Sequence, residues 1–250
     1  RPAVPATRVE RGQSIEITLA APPPPPEVPL AVFELWRSAR IIALFKPAGL
    51  HSVPGRTGGS VAEVLAEREP AQKAVAADRG ECGLLQRLDR DTSGVLIAAR
   101  DDETYAQVRE AMRAQQVEKW YLAIVGGRMA EARSIDIPLA RRQKRVVAAR
   151  RYDRPLPART ECTPLDGGRH WSLVLARSRT GAPHQIRAHL SLLGFPLLGD
   201  ALYGGLPAPA AGRQGTLLHA LRVQVPGLAD VSAPIPPDFA RAYAALRREG

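Results

Sequence analysis

Apolar residues along this chain gather in short blocks. Residues 40–45 (RIIALF), 94–99 (GVLIAA), 120–125 (WYLAIV) and 171–176 (WSLVLA) are runs of strand length, and in the last of these Trp171, Leu173 and Leu175 alternate as in a half-buried strand. Between them the spacing turns helical. Ser60 and Glu63 form an S-x-x-E capping box ahead of Val64 and Leu65, which marks a helix start. Asp101 and Asp102 open a second helix with Tyr105, Val108 and Met112 on one face, while Arg109 and Arg113 suit its C-terminal dipole. Over residues 184–194, Ile186, Leu190 and Leu193 form one stripe, His184, Arg187 and Ser191 lie on another face, and Gly194 ends the helix. A last helix starts near Pro237-Asp238 and buries Phe239, Tyr243 and Leu246. This mixture predicts a single α/β or α+β core.

The first 30 residues break the pattern. Residues 9–19 (VERGQSIEITL) read as one strand after a glycine turn, and the prolines of residues 22–26 form an extended, semi-rigid spacer. The expected organisation is a small N-terminal remnant over residues 1–20, a linker over 21–30 and the main domain over 31–250. The absence of a starting methionine points to further residues before Arg1.

Composition adds a partner class. The formal charge of +10 is carried mostly by arginine, which pairs bidentately with phosphate and stacks on bases, although an alanine-, arginine- and proline-rich chain also follows from GC-rich coding. Local clustering says more than the total. Arg141, Arg142, Lys144, Arg145, Arg150, Arg151 and Arg154 face a single acid, Asp153, with Val146-Val147-Ala148-Ala149 between them. The pattern fits an exposed basic hairpin lying on a phosphate backbone; a solvated arm is the plainer alternative. No apolar run has the length of a membrane span, so the chain is expected to be soluble and cytoplasmic. Cys82 and Cys162 have neither metal-type nor disulfide-framework spacing, and His51, His170 and His219 show no ligand spacing.

The candidate chemistry lies in Gln86-Arg87-Leu88-Asp89-Arg90-Asp91-Thr92-Ser93-Gly94. One carboxylate, Asp89, stands between an arginine and a turn-forming Thr-Ser-Gly, in a loop that leads into the strand at 95–99. Alone, such an Asp is more often a cap than a catalyst. Three other blocks accompany it: KPAGL at 46–50, EKWYLAIVGG at 118–127 and HQIRAHLSLLGFPLLGDALYGG at 184–205.

Taken in order, the four blocks resemble the RluA-type pseudouridine synthases from about residue 35 to residue 246. The resemblance implies an α+β fold with a mixed, largely antiparallel central sheet, flanking helices and a long active-site cleft. It implies conversion of uridine in RNA to pseudouridine, with no cofactor and no metal. Asp89 matches the catalytic carboxylate. Arg187 matches the basic residue that pairs with it, a partner that favours the ionised form a nucleophile needs. Tyr121 matches the tyrosine that stacks on the target uracil and helps remove its carbon-5 proton. Arg87 matches an arginine expected to extrude the base or fill its place, and His184 joins the RNA-binding set.

Strand alternation puts Lys119 beside Tyr121 and Trp120 on the opposite face, where Trp120 packs. Lys119 either contacts RNA or pairs near Glu118; alternation does not separate the two. Arg141, Arg142, Lys144 and Arg145 complete the expected RNA contacts. Asp200 and Tyr203, set among glycines, are expected to fix a turn beside the cleft. The chain departs from the family in having Gln86 for a usual His and Ala182-Pro183 in a usual Gly-Arg-x-His-Gln. Ribosomal RNA is favoured over transfer RNA because residues 9–19 resemble the end of an alpha-L module, and the chain is expected to act as a monomer. A catalytically silent RNA-binding or ribosome-assembly protein with the same fold is the alternative.

Overall fold

A computed structural model describes residues 31–55, 59–208 and 215–249. The expected N-terminal remnant and proline linker lie outside the described residues. The strands are β1 (Phe33–Arg37), β2 (Ile41–Lys46), β3 (Ser93–Ala99), β4 (Glu118–Gly126), β5 (Arg133–Asp136), β6 (Leu139–Arg142), β7 (Arg145–Ala148), β8 (Arg159–Gly167), β9 (Trp171–Ser178), β10 (Leu218–Val225) and β11 (Ala229–Ser232). The α-helices are α1 (Val61–Arg68), α2 (Asp102–Arg113), α3 (Gln185–Leu192) and α4 (Pro237–Glu249). The main sheet runs β1-β2-β3-β10-β4-β9-β8-β5, with β11 paired to β10, and β6-β7 form a separate hairpin. All the strand pairs are antiparallel except β3 with β10. The fold is therefore the expected α+β arrangement, a mixed and largely antiparallel sheet with flanking helices.

Strands β2 and β3 are buried along their whole length, which is why their sequences read as continuous apolar runs rather than alternations. Val61 and Leu65 of α1 and Val108 of α2 pack into the same core. Strand β4 is covered on both sides by different helices. Its Ala123 and Val125 join Ile186 and Leu190 of α3, while Leu122 and Ile124 join Phe239, Ala242 and Leu246 of α4. Tyr121 packs against both the α1/α2 core and the α3 core, so it marks the seam between them.

Two helix starts follow from local chemistry. The Ser60 hydroxyl accepts from Glu63 N–H and donates to the Glu63 carboxylate, and Asp101 accepts from Thr104 N–H at 2.7 Å. The pairing of β3 with β10 depends on Gly94: at φ 127°, a Cβ there would stand 2.1 Å from Ala220 O. That close approach brings the loop before β3 alongside β10 and β4.

Some sequence expectations need correction. In β9 the fully buried residues include Val174 and Ala176, which face α3, whereas Leu173 and Leu175 are half-buried toward α4. Both faces of this strand are covered, so the larger side chains do not mark the deeper side. Arg109 does not simply complement the end of α2, because its guanidinium donates to Leu85 O at 3.1 Å beside the Asp89 segment. The basic hairpin proper is β6-β7 and ends at Ala148; Arg150, Arg151 and Arg154 lie in the loop that follows.

Candidate active site

Asp89 sits in a segment held from both sides. Ser52 Oγ accepts from Leu88 N–H at 2.9 Å and donates to Leu88 O at 2.8 Å. The Lys46 ammonium, at the end of β2, donates to the carbonyls of Pro47, Arg90 and Thr92 at 3.0, 2.9 and 2.6 Å. Thr92 N–H closes a turn onto Asp89 O at 3.1 Å. The backbone on either side of Asp89 is thus fixed by groups distant in sequence, while its carboxylate stays 27% exposed.

Arg187 reaches this carboxylate from α3. Its Nη1 donates to Asp89 Oδ2 at 2.7 Å, and its Nε and Nη2 grip Asp200 at 2.7 and 2.9 Å. Burial works against the guanidinium's charge, but the hydrogen bonds to Asp200 and Asp89 outweigh it and keep Arg187 above the ordinary arginine pKa. Asp200 is buried, with a side chain 1% exposed. A bidentate grip from one acid leaves the other end of the planar fork aimed at Asp89.

Lys119 and Tyr121 project from the same face of β4 into the same cleft, whereas Trp120 lies on the other face under Arg222 and Arg177. The Lys119 ammonium donates to Thr180 O at 2.7 Å, and burial, with the charge of Arg109, brings its pKa down to about 8. Glu118 takes Arg177 and Arg179 instead, so Lys119 does not share that acid. Burial, reinforced by the charge of Asp89, raises the Tyr121 pKa well above the ordinary phenol value. Tyr121 is therefore a neutral phenol near pH 7.

These groups line one cleft of about 800 Å³. Asp89, Tyr121, Arg187, Arg87, Lys119, His184 and Arg141 all contribute to its wall. Arg142, Lys144 and Arg145 do not; they are exposed on the hairpin that carries Arg141, and Arg142 pairs with Asp153. Gln86 also lines the cleft. Its amide donates to Val95 O at 3.3 Å, but its buried Oε1 has no hydrogen-bond partner. Among the described residues no cluster of His, Cys, Asp and Glu could hold a metal, and no helix is long and apolar enough to cross a membrane.

A cleft with an arginine-paired carboxylate, a neutral tyrosine and a ring of cations fits a nucleic-acid substrate presented to an acid/base or nucleophilic Asp. A model of the RNA pseudouridylate synthase family matches residues 40–192, which include Asp89, Tyr121 and Arg187. The chain belongs to the RNA pseudouridylate synthase family. It is 30% identical to the ribosomal large subunit pseudouridine synthase D of Haemophilus ducreyi, over 90% of this chain and 73% of that one. It is 37% identical to a protein of Chloroflexus aurantiacus named "Uncharacterized RNA pseudouridine synthase", over 64% of this chain and half of that one. The solved structure of human RNA pseudouridylate synthase domain containing 4 superposes with a TM-score of 0.68 at 27% identity, covering 86% of this chain and 92% of that one.

Within this pseudouridylate synthase cleft, two residues exceed what the sequence implied. Asp200 and Tyr203 do shape a turn, since Tyr203 N–H and Gly205 N–H both donate to Asp200 O. Their side chains, buried behind the cleft, also hold residues of its wall. Asp200 anchors Arg187, and the Tyr203 hydroxyl lies 3.1 Å from His184 Nδ1. The only sequence signal was their presence in the same block as Arg187.

Proposed function

We propose that the chain converts specific uridines in structured RNA to pseudouridine, with ribosomal RNA favoured over transfer RNA and Asp89 as the catalytic carboxylate. Residues 31–250 form the catalytic domain in this reading, acting as a cytoplasmic monomer without cofactor or metal. The observation that carries it is the Asp89–Arg187 pair at 2.7 Å, set in a cleft whose wall includes neutral Tyr121 and several cations. The preference for ribosomal RNA rests on the name of the Haemophilus ducreyi relative.

The reaction is an isomerisation. The bond from carbon 1′ of the ribose to N1 of the base breaks, and a bond from carbon 1′ to carbon 5 forms. Carbon 5 loses a proton and N1 gains one, so no redox partner or energy source is needed. Attack of a carboxylate on carbon 1′, its addition to carbon 6 and passage through a glycal all start from an ionised acid held beside the nucleoside. Arg187 orients that carboxylate by donating from Nη1 to Asp89 Oδ2 at 2.7 Å. Tyr121, uncharged, offers a flat surface for the uracil and a hydroxyl near the carbon-5 proton. A cleft of this size can retain the detached base while it turns.

The target uridine must leave its stack to reach Asp89. Arg87, exposed on the same segment two residues before Asp89, is the side chain to fill the vacated place. Lys119, His184 and Arg141 meet the nucleotide in the cleft, and Arg142, Lys144 and Arg145 meet phosphates beyond it. A silent RNA-binding protein with this fold is the second reading, and the unpartnered Gln86 Oε1 is the observation in its favour. Carbodiimide mapping of pseudouridine on unmodified ribosomal and transfer RNA separates the two. New reverse-transcription stops with the wild type and none with Asp89→Ala are expected; salt-sensitive binding without stops from either protein selects the silent reading.

A further inference from the structure

The basic hairpin and Asp89 are joined through two side chains. Val146 N–H, on β7, donates to the Tyr203 hydroxyl at 2.8 Å. The same hydroxyl lies 3.1 Å from His184 Nδ1, and the two rings meet edge to face at 5.9 Å. The other ring nitrogen, His184 Nε2, stands 3.7 Å from Asp89 Oδ1. The geometry is fixed at both ends. Val146, Tyr203, Leu139, Ala158 and Ala188 form one buried cluster, and His184 holds a left-handed backbone at φ 50° as the N-cap of α3.

We propose that Tyr203 is a positioning residue that couples the RNA-binding hairpin to catalysis by holding His184 as an Nε2–H donor aimed at Asp89 Oδ1. The donors and acceptors around the ring fit this assignment. A phenol hydroxyl that accepts the Val146 N–H has its own proton to give to His184 Nδ1. Neutral imidazole carries one proton, so it sits on Nε2, facing Asp89. The charges around His184 are Asp89, Asp200, Arg187 and Arg141. Burial outweighs the two acids and, with the two arginines, keeps the ring's pKa below the usual histidine value.

With Oδ2 on Arg187 and Oδ1 facing His184, the plane of the carboxylate is set from both sides. The 3.7 Å separation is just beyond a hydrogen bond, and a small turn of the His184 ring as substrate enters the cleft closes it. Arg141 lines the cleft from β6 while Val146 reaches Tyr203 from β7, so phosphate contact and carboxylate orientation share one hairpin.

The catalytic consequence rests on the pseudouridine synthase reading; the protonation state of His184 does not. Nitrogen-15 NMR of histidine-labelled full-length chain, with His184 assigned by its loss in His184→Gln, reads the tautomer directly. Nδ1 unprotonated and Nε2 protonated in the wild type is expected, with both tautomers populated in Tyr203→Phe. Tyr203→Phe should lower kcat on RNA by about tenfold with KM within about twofold, and His184→Gln, which keeps a donor near Nε2, should retain more activity than His184→Ala. A wild-type ring protonated at Nδ1, or a Tyr203→Phe protein with unchanged tautomer and unchanged kcat, overturns the coupling. A wild type that shows the expected tautomer but converts no uridine supports the positioning and removes the enzymatic reading instead.

Discussion

The two ends of the cleft are built on opposite terms. Around Asp89 nearly every polar group is held by another: Lys46 and Ser52 pin the backbone, and Arg187 is gripped by buried Asp200 before it reaches the carboxylate. On the β6-β7 hairpin, Arg141, Arg142, Lys144 and Arg145 are exposed, and an ion pair is seen at Arg142 with Asp153. Chemistry needs groups whose orientation is settled before the substrate arrives, because reorganisation during reaction raises the barrier. Phosphate binding needs solvated charge that can release counterions and adapt to a flexible strand. One cleft serves both by attaching the adaptable hairpin to the fixed centre through Val146 and Tyr203.

The contrast can be broken most severely at Asp89. Asp89→Ala should lose at least about four orders of magnitude in single-turnover conversion, roughly 5 kcal/mol of barrier, while urea denaturation shows little loss of stability because Arg187 keeps Asp200. Asp200→Ala reverses the pattern. Removing the buried anchor of Arg187 should cost about 3–5 kcal/mol in urea denaturation, and activity falls because Arg187 is no longer held. Equal stability losses for the two variants would show that Asp200 does not anchor the pair.

The hairpin should fail gently. Changing Arg141, Arg142, Lys144 and Arg145 together to Ala is expected to leave folding intact, weaken RNA binding and reduce the logarithmic salt slope by about 0.7–0.9 for each phosphate that is no longer neutralised. Fluorescence titration across salt concentrations measures this, and an unchanged slope would place the hairpin away from RNA.

Lys119 gives the smallest effect and a pH signature. Its folded pKa of about 8 lies below the ordinary 10.5, so the unfolded chain binds more protons between those values. Stability from this group therefore rises with pH across about 8 to 10.5, and the cost of burying the charge is fully present below pH 8. Lys119→Met should stabilise the protein at pH 7 by about 1–2 kcal/mol, after loss of the bond to Thr180 O, with the gain fading toward pH 10.5. Parallel urea curves at pH 7 and pH 10 read the difference.

What was legible in the sequence follows the same division between local and distant causes. Strands β2, β3, β4 and β9 announce themselves as apolar runs, and α1 and α2 carry their own caps. Strand β8 (RTECTPLDG) lies next to the edge with alternate residues exposed, so it has no apolar run to notice. Strand β10 sits mid-sheet, yet its partners in the sheet include residues distant in sequence, with Ala220 set against Gly94 of β3 and Tyr121 of β4. The site divides likewise. Asp89, Tyr121 and Arg187 stand in blocks whose resemblance could be read, and alternation placed Lys119 beside Tyr121. The grip of Asp200 on Arg187 and the contact of Tyr203 with His184 depend on how the turn after α3 folds back over it, which no local pattern encodes.

The most direct test of Asp89 as the catalytic carboxylate is release of tritium from RNA labelled at carbon 5 of uridine, under single turnover, with wild-type protein, Asp89→Asn and Asp89→Ala. Release by the wild type, with both variants bound to RNA yet at background, is the expected result. Comparable release from wild type and Asp89→Ala would contradict it and move the chemistry to another group in the cleft.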